Sequence, residues 1–553
     1  MNKQFKIEHS IYALGAFIAI VGVLFLIARS DAVLKFQYFN KPIEQAVVEQ
    51  EVEASHKIPS YLLLTGADQS NLQEALIKRL ELMGKEVEVR SITSIETKED
   101  LEGYISVIIA TEQIELLNET DLILRFVEDG GSLFFAVRPA PGPALSTLYQ
   151  SLGLVETGSF IETTGIELEQ PFFNEAGETD FASDNIINSS LTVRLSGDAE
   201  LFASSSTGIP LLWKAFYGEG TFVVFNGTMF SEMTDQALFV KGIQQLTEHV
   251  IMPMINARIT ELSGFPFLVP TGRDLSPAYT NRDYYRTLVW PELQRIESKY
   301  DLNYTASYKA IDDTGSLNLE TSPELEDLRL YGRELLRMGG EIALHVSSAS
   351  NQERSVQQVQ SALPDYSLHA GVSLSLEMGD RLSNEMSTML APVKYIEEVE
   401  ETIVLPAIAE GFELKASEKW KLFNELFVSG LYTHSVDASS FIEAQNAEEQ
   451  MTVFADFQQS MYEQVPWIRS LTLSKAGEAA FPYLNSDLYE TQKGNKLIFS
   501  ATAMIENQPA YYYLSTKRTI AGTENCEVRQ VGKDLYLVTA NDLTFAITLG
   551  ESK

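Results

Sequence analysis

The sequence predicts an α/β multidomain protein with an N-terminal transmembrane helix, a parallel-sheet domain, a central α/β barrel and a small C-terminal β-sandwich. Three observations carry that expectation. An uncharged apolar run stands near the start, strand-like and helix-like stretches alternate through the middle, and short alternating strands fill the C-terminal end. The chain has 553 residues, and roughly 100–200 residues per domain gives about three globular units.

Taken in order, Ile11 to Ala28 reads IYALGAFIAIVGVLFLIA, without a charge, after Lys3 and Lys6 and before Arg29. About 20 apolar residues span a bilayer as a helix, and the flanking lysines would keep the amino end cytoplasmic and the bulk extracellular. A cleaved signal peptide is the rival, but its apolar core is usually shorter, and Leu26-Ile-Ala-Arg-Ser30 is a poor small-x-small exit. The expected layout is tail and anchor over 1–30, an acidic helical or flexible stalk over 31–57, and globular units over 58–250, 255–485 and 486–553.

In the first unit Tyr61–Gly66 reads as a buried strand and Leu72–Met83 as a helix. The strands Val87–Ile92, Ile105–Ala110 and Ser132–Val137 follow, interleaved with short helices near Lys98–Leu101 and over Thr120–Glu128. Thr221–Thr228 and a helix Asp235–Val250 close the unit, which implies a parallel sheet covered on both faces. No GxGxxG or Walker pattern occurs in it.

Composition narrows the function. With 41 Lys+Arg against 77 Asp+Glu the net charge is −36, which argues against nucleic acid, whose phosphates need a basic footprint. It suits either a solubilising surface or a cationic partner such as a partly deacetylated amino-sugar polymer. Cys526 is the only cysteine, so neither an intrachain disulfide nor a Cys-rich zinc module exists.

The central unit holds the candidate chemistry. Phe265-Pro-Phe-Leu-Val269 runs into Pro270-Thr-Gly-Arg-Asp274. Gly339-Gly-Glu-Ile-Ala-Leu-His345 puts a histidine at the end of a second strand, and Leu426-Phe-Val-Ser-Gly-Leu-Tyr-Thr-His434-Ser-Val-Asp437 reads as a third strand-like run. Parallel strands gather their carboxyl ends on one face, so Asp274, His345 and His434 could converge as a divalent-metal site, zinc first. Each residue also has a plainer reading. His345 and His434 would be hydrogen-bonded core histidines, and Asp274 a turn residue before Ser276-Pro277. Tyr432, Trp467 and other aromatics could form a sugar-stacking wall, or simply core. The runs Asn495–Ala503, Ala510–Ser515, Glu527–Val531, Asp534–Thr539 and Leu543–Leu549 predict the terminal sandwich.

Strand order and the GEGTFVVFNGT segment of the first unit resemble class I glutamine-amidotransferase-like domains, which are flavodoxin-like. In those, a nucleophilic cysteine sits on a turn after a central strand. Here that region is Val137-Arg-Pro-Ala-Pro-Gly142, without cysteine, so the resemblance implies binding or scaffolding rather than amide transfer.

From Asp274 to His345 the central unit resembles NodB-like polysaccharide deacetylases. That resemblance implies a metal held by one aspartate and two histidines, with a second aspartate as base. The paired aspartates of that family become Arg273-Asp274, and its second histidine position falls on Ala349. His434 would then supply the missing ligand, and Asp437 the base or orienting group.

From about residue 57 onward, with Val465-Pro-Trp-Ile-Arg-Ser-Leu-Thr-Leu-Ser474, the chain resembles bacterial domain-of-unknown-function family 2194, associated with exopolysaccharide loci including Pel-type systems. Relatives often show His-Pro-Asp-Asp where His434-Ser-Val-Asp437 stands here. Arg469, beside Trp467, is the candidate sugar- or carboxylate-holding residue.

The expected function is a membrane-anchored extracellular protein of exopolysaccharide biosynthesis or modification, a divergent metal-dependent polysaccharide N-deacetylase. The alternative is a catalytically inactive glycan-binding or scaffold component of a polysaccharide synthase complex.

Overall fold

The computed structural model describes residues 12–21, 23, 46–52, 60–174, 177–267, 272–273, 276, 278–309, 323–346, 349–373, 386–399, 401–442 and 447–552. The expected transmembrane helix does not appear among the described residues. The helical residues described there are 12–21 and 23, fewer than the roughly 20 apolar residues that a bilayer-spanning helix needs. Among the described residues no helix is long and apolar enough to cross a membrane. The rest of 11–28 lies outside the described residues. Part of the expected stalk is a strand, because Val47–Glu49 pairs antiparallel with Ala503–Ile505.

The first unit is built on a nine-stranded sheet. Strands β1 (Ser60–Thr65), β2 (Glu86–Ser91), β3 (Ser106–Ala110) and β4 (Ser132–Phe135) are joined through helices that include α1 (Ser70–Leu82) and α2 (Asp121–Glu128). Among the described residues, strands β5 (Leu154–Thr164) and β6 (Ile187–Leu195) pair only with each other, as a two-stranded ribbon. Strand β7 (Gly220–Phe225) returns beside β4. The order β2-β1-β3-β4-β7 is parallel throughout, and antiparallel strands extend it beyond β7. Leu62, Leu63, Ile108, Ile109, Phe134 and Phe135 are fully buried, as apolar runs covered on both faces require. The helix expected over Asp235–Val250 stops at Ile243, and His249 begins strand β8 (His249–Met254).

The central unit is a parallel sheet of β9 (Ala257–Phe265), β10 (Tyr304–Tyr308), β11 (Glu341–Val346), β12 (Ala370–Ser373), β13 (Thr388–Ala391), β14 (Thr402–Pro406), β15 (Ala409–Glu410) and β16 (Leu431–Asp437). Its parallel order runs β14-β13-β12-β11-β10-β9-β16-β15. Where an α/β barrel was expected, the sheet is a half-barrel. Its two ends, β14 and β15, are consecutive in the chain, and the Thr433 side chain joins them, donating to Pro406 O (2.6 Å) and accepting from Ile408 N (2.9 Å).

Helices α3 (Trp290–Tyr300), α4 (Pro323–Arg337), α5 (Ala349–Ala362), α6 (Ala416–Ser429) and α7 (Ala447–Gln464) connect these strands, and the last strand, β17 (Arg469–Ser470), leads into α8 (Leu473–Asn485). One face of the sheet packs with α3, α4 and α7 through Leu262, Tyr304, Ile342 and Val436. The other, inner face packs against α8 through Ala257, Ile259, Ala343, Leu431 and Leu473. Gly477 permits this approach, since a Cβ there would run into Thr388.

The run Leu426–Asp437, expected as one strand, is the last turn of α6 followed by β16. Gly430, at φ +66°, makes the left-handed cap between them. At the C-terminal end two four-stranded antiparallel sheets share one core. One is built from Leu488–Lys493, Lys496–Ala501, Thr544–Ser552 and Arg518–Glu524. The other is built from β8, Ala510–Thr516, Leu535–Ala540 and Cys526–Gln530.

Candidate functional site

In a parallel strand successive side chains alternate between faces, and here that alternation decides the site. On β11, Glu341, Ala343 and His345 share the inner face while Ile342, Leu344 and Val346 join the helix-covered core. His345 is half-buried near the strand's carboxyl end. Burial, and secondarily the Lys309 charge, lower its pKa. Deeper in, the Glu341 carboxylate accepts Ser474 N (2.9 Å) and the Ser474 hydroxyl, capping the start of α8.

On β16 the inner face carries Leu431, Thr433, Ser435 and Asp437, and the outer face Tyr432, His434 and Val436. His434 is therefore turned away from His345. Its ring lies 4.8 Å from Phe457 and 6.0 Å from Phe454, both on α7. Nε2 donates to Gly411 O (2.7 Å), which leaves Nδ1 to accept from Gln458 Nε2 (3.5 Å). Complete burial pushes its pKa down to about 4, so it is a neutral imidazole with both nitrogens engaged.

The remaining expected site residues disperse. Asp274 lies outside the described residues. Asp437 is exposed at the end of β16, where Oδ1 accepts Ser439 N (2.9 Å) and Ser439 Oγ (2.6 Å). Tyr432 is fully buried on the outer face. Trp467 lies 5.7 Å from Phe173 and donates to Tyr513 Oη (3.4 Å).

Arg469 pairs in register with Ala257, at the amino end of β9 and so at the opposite end of the sheet from Asp437. It donates to Asn256 O (3.1 Å) and Ile255 O (3.3 Å), with its guanidinium 4.3 Å from the Tyr511 ring centre. It clamps the half-barrel to the terminal sandwich.

One residue at the carboxyl end was not anticipated. Glu261 on β9 is 2% exposed and points to the inner face. The Ser307 hydroxyl of β10 and the Ser435 hydroxyl of β16 both donate to its carboxylate. Burial raises its pKa against those two donors, and the charges of Glu410 and Asp437 raise it further. Register explains the crowding, since Glu261 faces Ser435, Ser435 faces Glu410, and Ser263 faces Asp437. The sequence signal was a lone acid inside the strand ARITELSGF.

The residues implied as ligands do not fit a metal as a set, because His434 is on the wrong face with both nitrogens occupied. Among the described residues no group of three or more His, Cys, Asp or Glu side chains could hold a metal ion. What the arrangement can do is offer carboxyl groups and hydroxyls to a polar ligand at the end of a parallel sheet, where such folds place their sites.

A family model described as an uncharacterised protein conserved in bacteria, DUF2194, matches residues 175–348 and 388–537. No curated protein matches the chain. Similar solved structures include a ThuA-like protein from Bacteroides uniformis, with 12% identity, 38% of this chain and 96% of that chain covered, and a TM-score of 0.27. A GMP synthase component from Thermoplasma acidophilum has 10% identity, 31% and 84% coverage, and a TM-score of 0.23. An exo-β-1,4-mannosidase from Opitutaceae bacterium strain TAV5 has 14% identity, a TM-score of 0.22, and 33% of each chain covered, so the alignment spans a third of the mannosidase's length.

Proposed function

The chain belongs to that family of uncharacterised bacterial proteins, and from this premise we propose that its central half-barrel is a glycan-binding or scaffold element serving an exopolysaccharide, with no deacetylase metal centre. The observation that carries this is the carboxyl end of the sheet. Glu261, Glu410 and Asp437 crowd there with Ser307 and Ser435, while the second histidine of the implied metal set is sealed on the far face. Carboxylates and hydroxyls accept hydrogen bonds from sugar hydroxyls and, more strongly, from ammonium groups. An amino-sugar polymer is therefore the ligand class that fits, and the net charge of −36 favours its approach. A polysaccharide synthase complex is the assembly such a component would serve.

The test is titration of the protein with partly deacetylated and fully acetylated glucosamine oligomers, in parallel with metal analysis and an acetate-release assay. Binding that favours the deacetylated oligomer, and weakens about tenfold or more in Glu261→Gln and Asp437→Asn, is the expected result. Acetate release together with stoichiometric metal that disappears in His345→Ala would overturn it in favour of the deacetylase.

A further inference from the structure

A second polar constellation lies in the first unit, far in sequence from the half-barrel. The chain passes from β1 to β2 on one side and then to β3 on the other, so the carboxyl ends of β1 and β3 flank a topological switch point. Open parallel sheets bind ligands in the crevice there. The loops after β1, β3 and β4 bring Asp68, Gln69, Thr111, Glu112 and Arg138 together.

Their contacts leave one group short. Asp68 accepts Thr111 Oγ1 (2.7 Å) and Glu112 N (3.3 Å), and Glu112 Oε1 accepts Gln69 Nε2 (3.1 Å). Arg138 is 9% exposed. Its Nη1 lies 3.0 Å from Glu112 Oε2, but off hydrogen-bond alignment, and its Nε has no acceptor. A guanidinium N–H that has left water without an acceptor is costly, the more so for a charged group. Phe160, from the β5–β6 ribbon, covers the guanidinium at 3.8 Å from the ring centre, and the residue itself remains 45% exposed. Asp68 is exposed and Glu112 half-buried, so the crevice is open on that side.

We infer that this crevice is a ligand site for a neutral polyhydroxylated molecule, one of whose oxygens accepts from Arg138 while its hydroxyls donate to Glu112 and Asp68 beside the Phe160 ring. Charge selects the class. Two carboxylates stand against one guanidinium, so a phosphate or carboxylate ligand would meet net negative charge, whereas a neutral oxygen satisfies Arg138 without that repulsion. Polar acids, an arginine and an exposed aromatic ring match a sugar's hydroxyl rim and C–H face. This site is independent of the half-barrel reading and stands or falls without it.

The experiment uses the full chain and cellotetraose, with glucuronate and inorganic phosphate as anionic probes, read by calorimetry and by hydrogen exchange localised to peptides. Cellotetraose should protect residues 66–69, 111–115 and 137–142. Its affinity should fall about tenfold to hundredfold in Arg138→Met, the worth of a charged hydrogen bond. Phe160→Ala, a surface change that leaves the core intact, should weaken it as well. Protection confined to the half-barrel, affinity unchanged in both variants, or tighter binding of glucuronate or phosphate than of the tetrasaccharide would each overturn the inference.

Discussion

Replacing Glu297 by Met should stabilise the protein, and by an amount that depends on pH in a defined way. Glu297 lies on α3, 2% exposed, among Leu293, Ile296, Tyr300 and Tyr304. Burial pushes its carboxyl from 4.5 up to about 8, against the lowering pull of the Tyr304 backbone N–H. The folded state therefore binds this proton more tightly than the unfolded chain does. The contribution is fully present below 4.5 and is lost as pH rises from 4.5 towards 8. At pH 7 the loss amounts to about 3 kcal/mol, at about 1.4 kcal/mol for each pH unit above the unfolded value. Methionine keeps the length of the side chain, does not titrate and suits an apolar surrounding. Urea unfolding of both proteins at pH 5 and pH 7 reads the effect. The variant should gain about 3 kcal/mol at pH 7 and under about 1 kcal/mol at pH 5. An advantage equal at the two pH values would show that Glu297 does not titrate as its burial requires.

Three further outcomes separate architecture from binding. His434 has its pKa lowered from 6.5 to about 4, so the wild type loses stability as pH falls through that window. His434→Phe should flatten this loss, and His434→Ala should cost about 3 kcal/mol at neutral pH through its cavity, with glycan affinity unchanged in both. Arg469→Ala should lower stability by about 2 kcal/mol, from lost carbonyl and Tyr511 contacts, and leave oligosaccharide titrations unmoved. Because burial raises the Glu261 carboxyl, its stabilising contribution declines as pH rises above the ordinary glutamate range. Glu261→Gln should therefore show a flatter dependence of melting temperature on pH than the wild type.

Elements were legible where one period dominated and Gly bounded the run. Glu341–Val346 follows Gly339-Gly340 and is a strand over those residues. Leu426–Asp437 was not legible, because a buried helix turn and a buried strand are both continuously apolar, and only the left-handed Gly430 divides them. His249 likewise continues a helical pattern in the sequence but belongs to a strand whose partner, Ala510–Thr516, lies far along the chain. The site was legible in residue type and not in direction. A strand's two faces read alike when both carry apolar and small polar residues, as Leu431, Thr433 and Ser435 do against Tyr432, His434 and Val436. Which set faces inward is fixed by β9 and α8, through contacts that no local pattern contains. The chemically conspicuous histidine thus went to the helix layer, and the inconspicuous Glu261 to the inner face.

Trp467 and Arg469, which the sequence offers as sugar-holding residues, instead explain why the three units cohere. Phe172 and Phe173 of the first unit pack against Phe423 and Phe427 of α6, and Phe173 also meets Trp467 and Tyr513, so one hydrophobic cluster crosses all three units. Strand β8, which precedes the half-barrel in sequence, completes a sheet of the terminal sandwich that follows it. The half-barrel is therefore held at its amino end by a continuous aromatic core and by the Arg469 clamp, while its carboxyl end is left to polar side chains. Rigid burial at one end is what allows a carboxyl such as Glu261 to be kept out of water at the other. A loosely held sheet would admit water and return the group's pKa towards the ordinary glutamate range. The aromatic junction contributes to the site by keeping the sheet's geometry fixed, with no aromatic residue of that junction reaching the mouth.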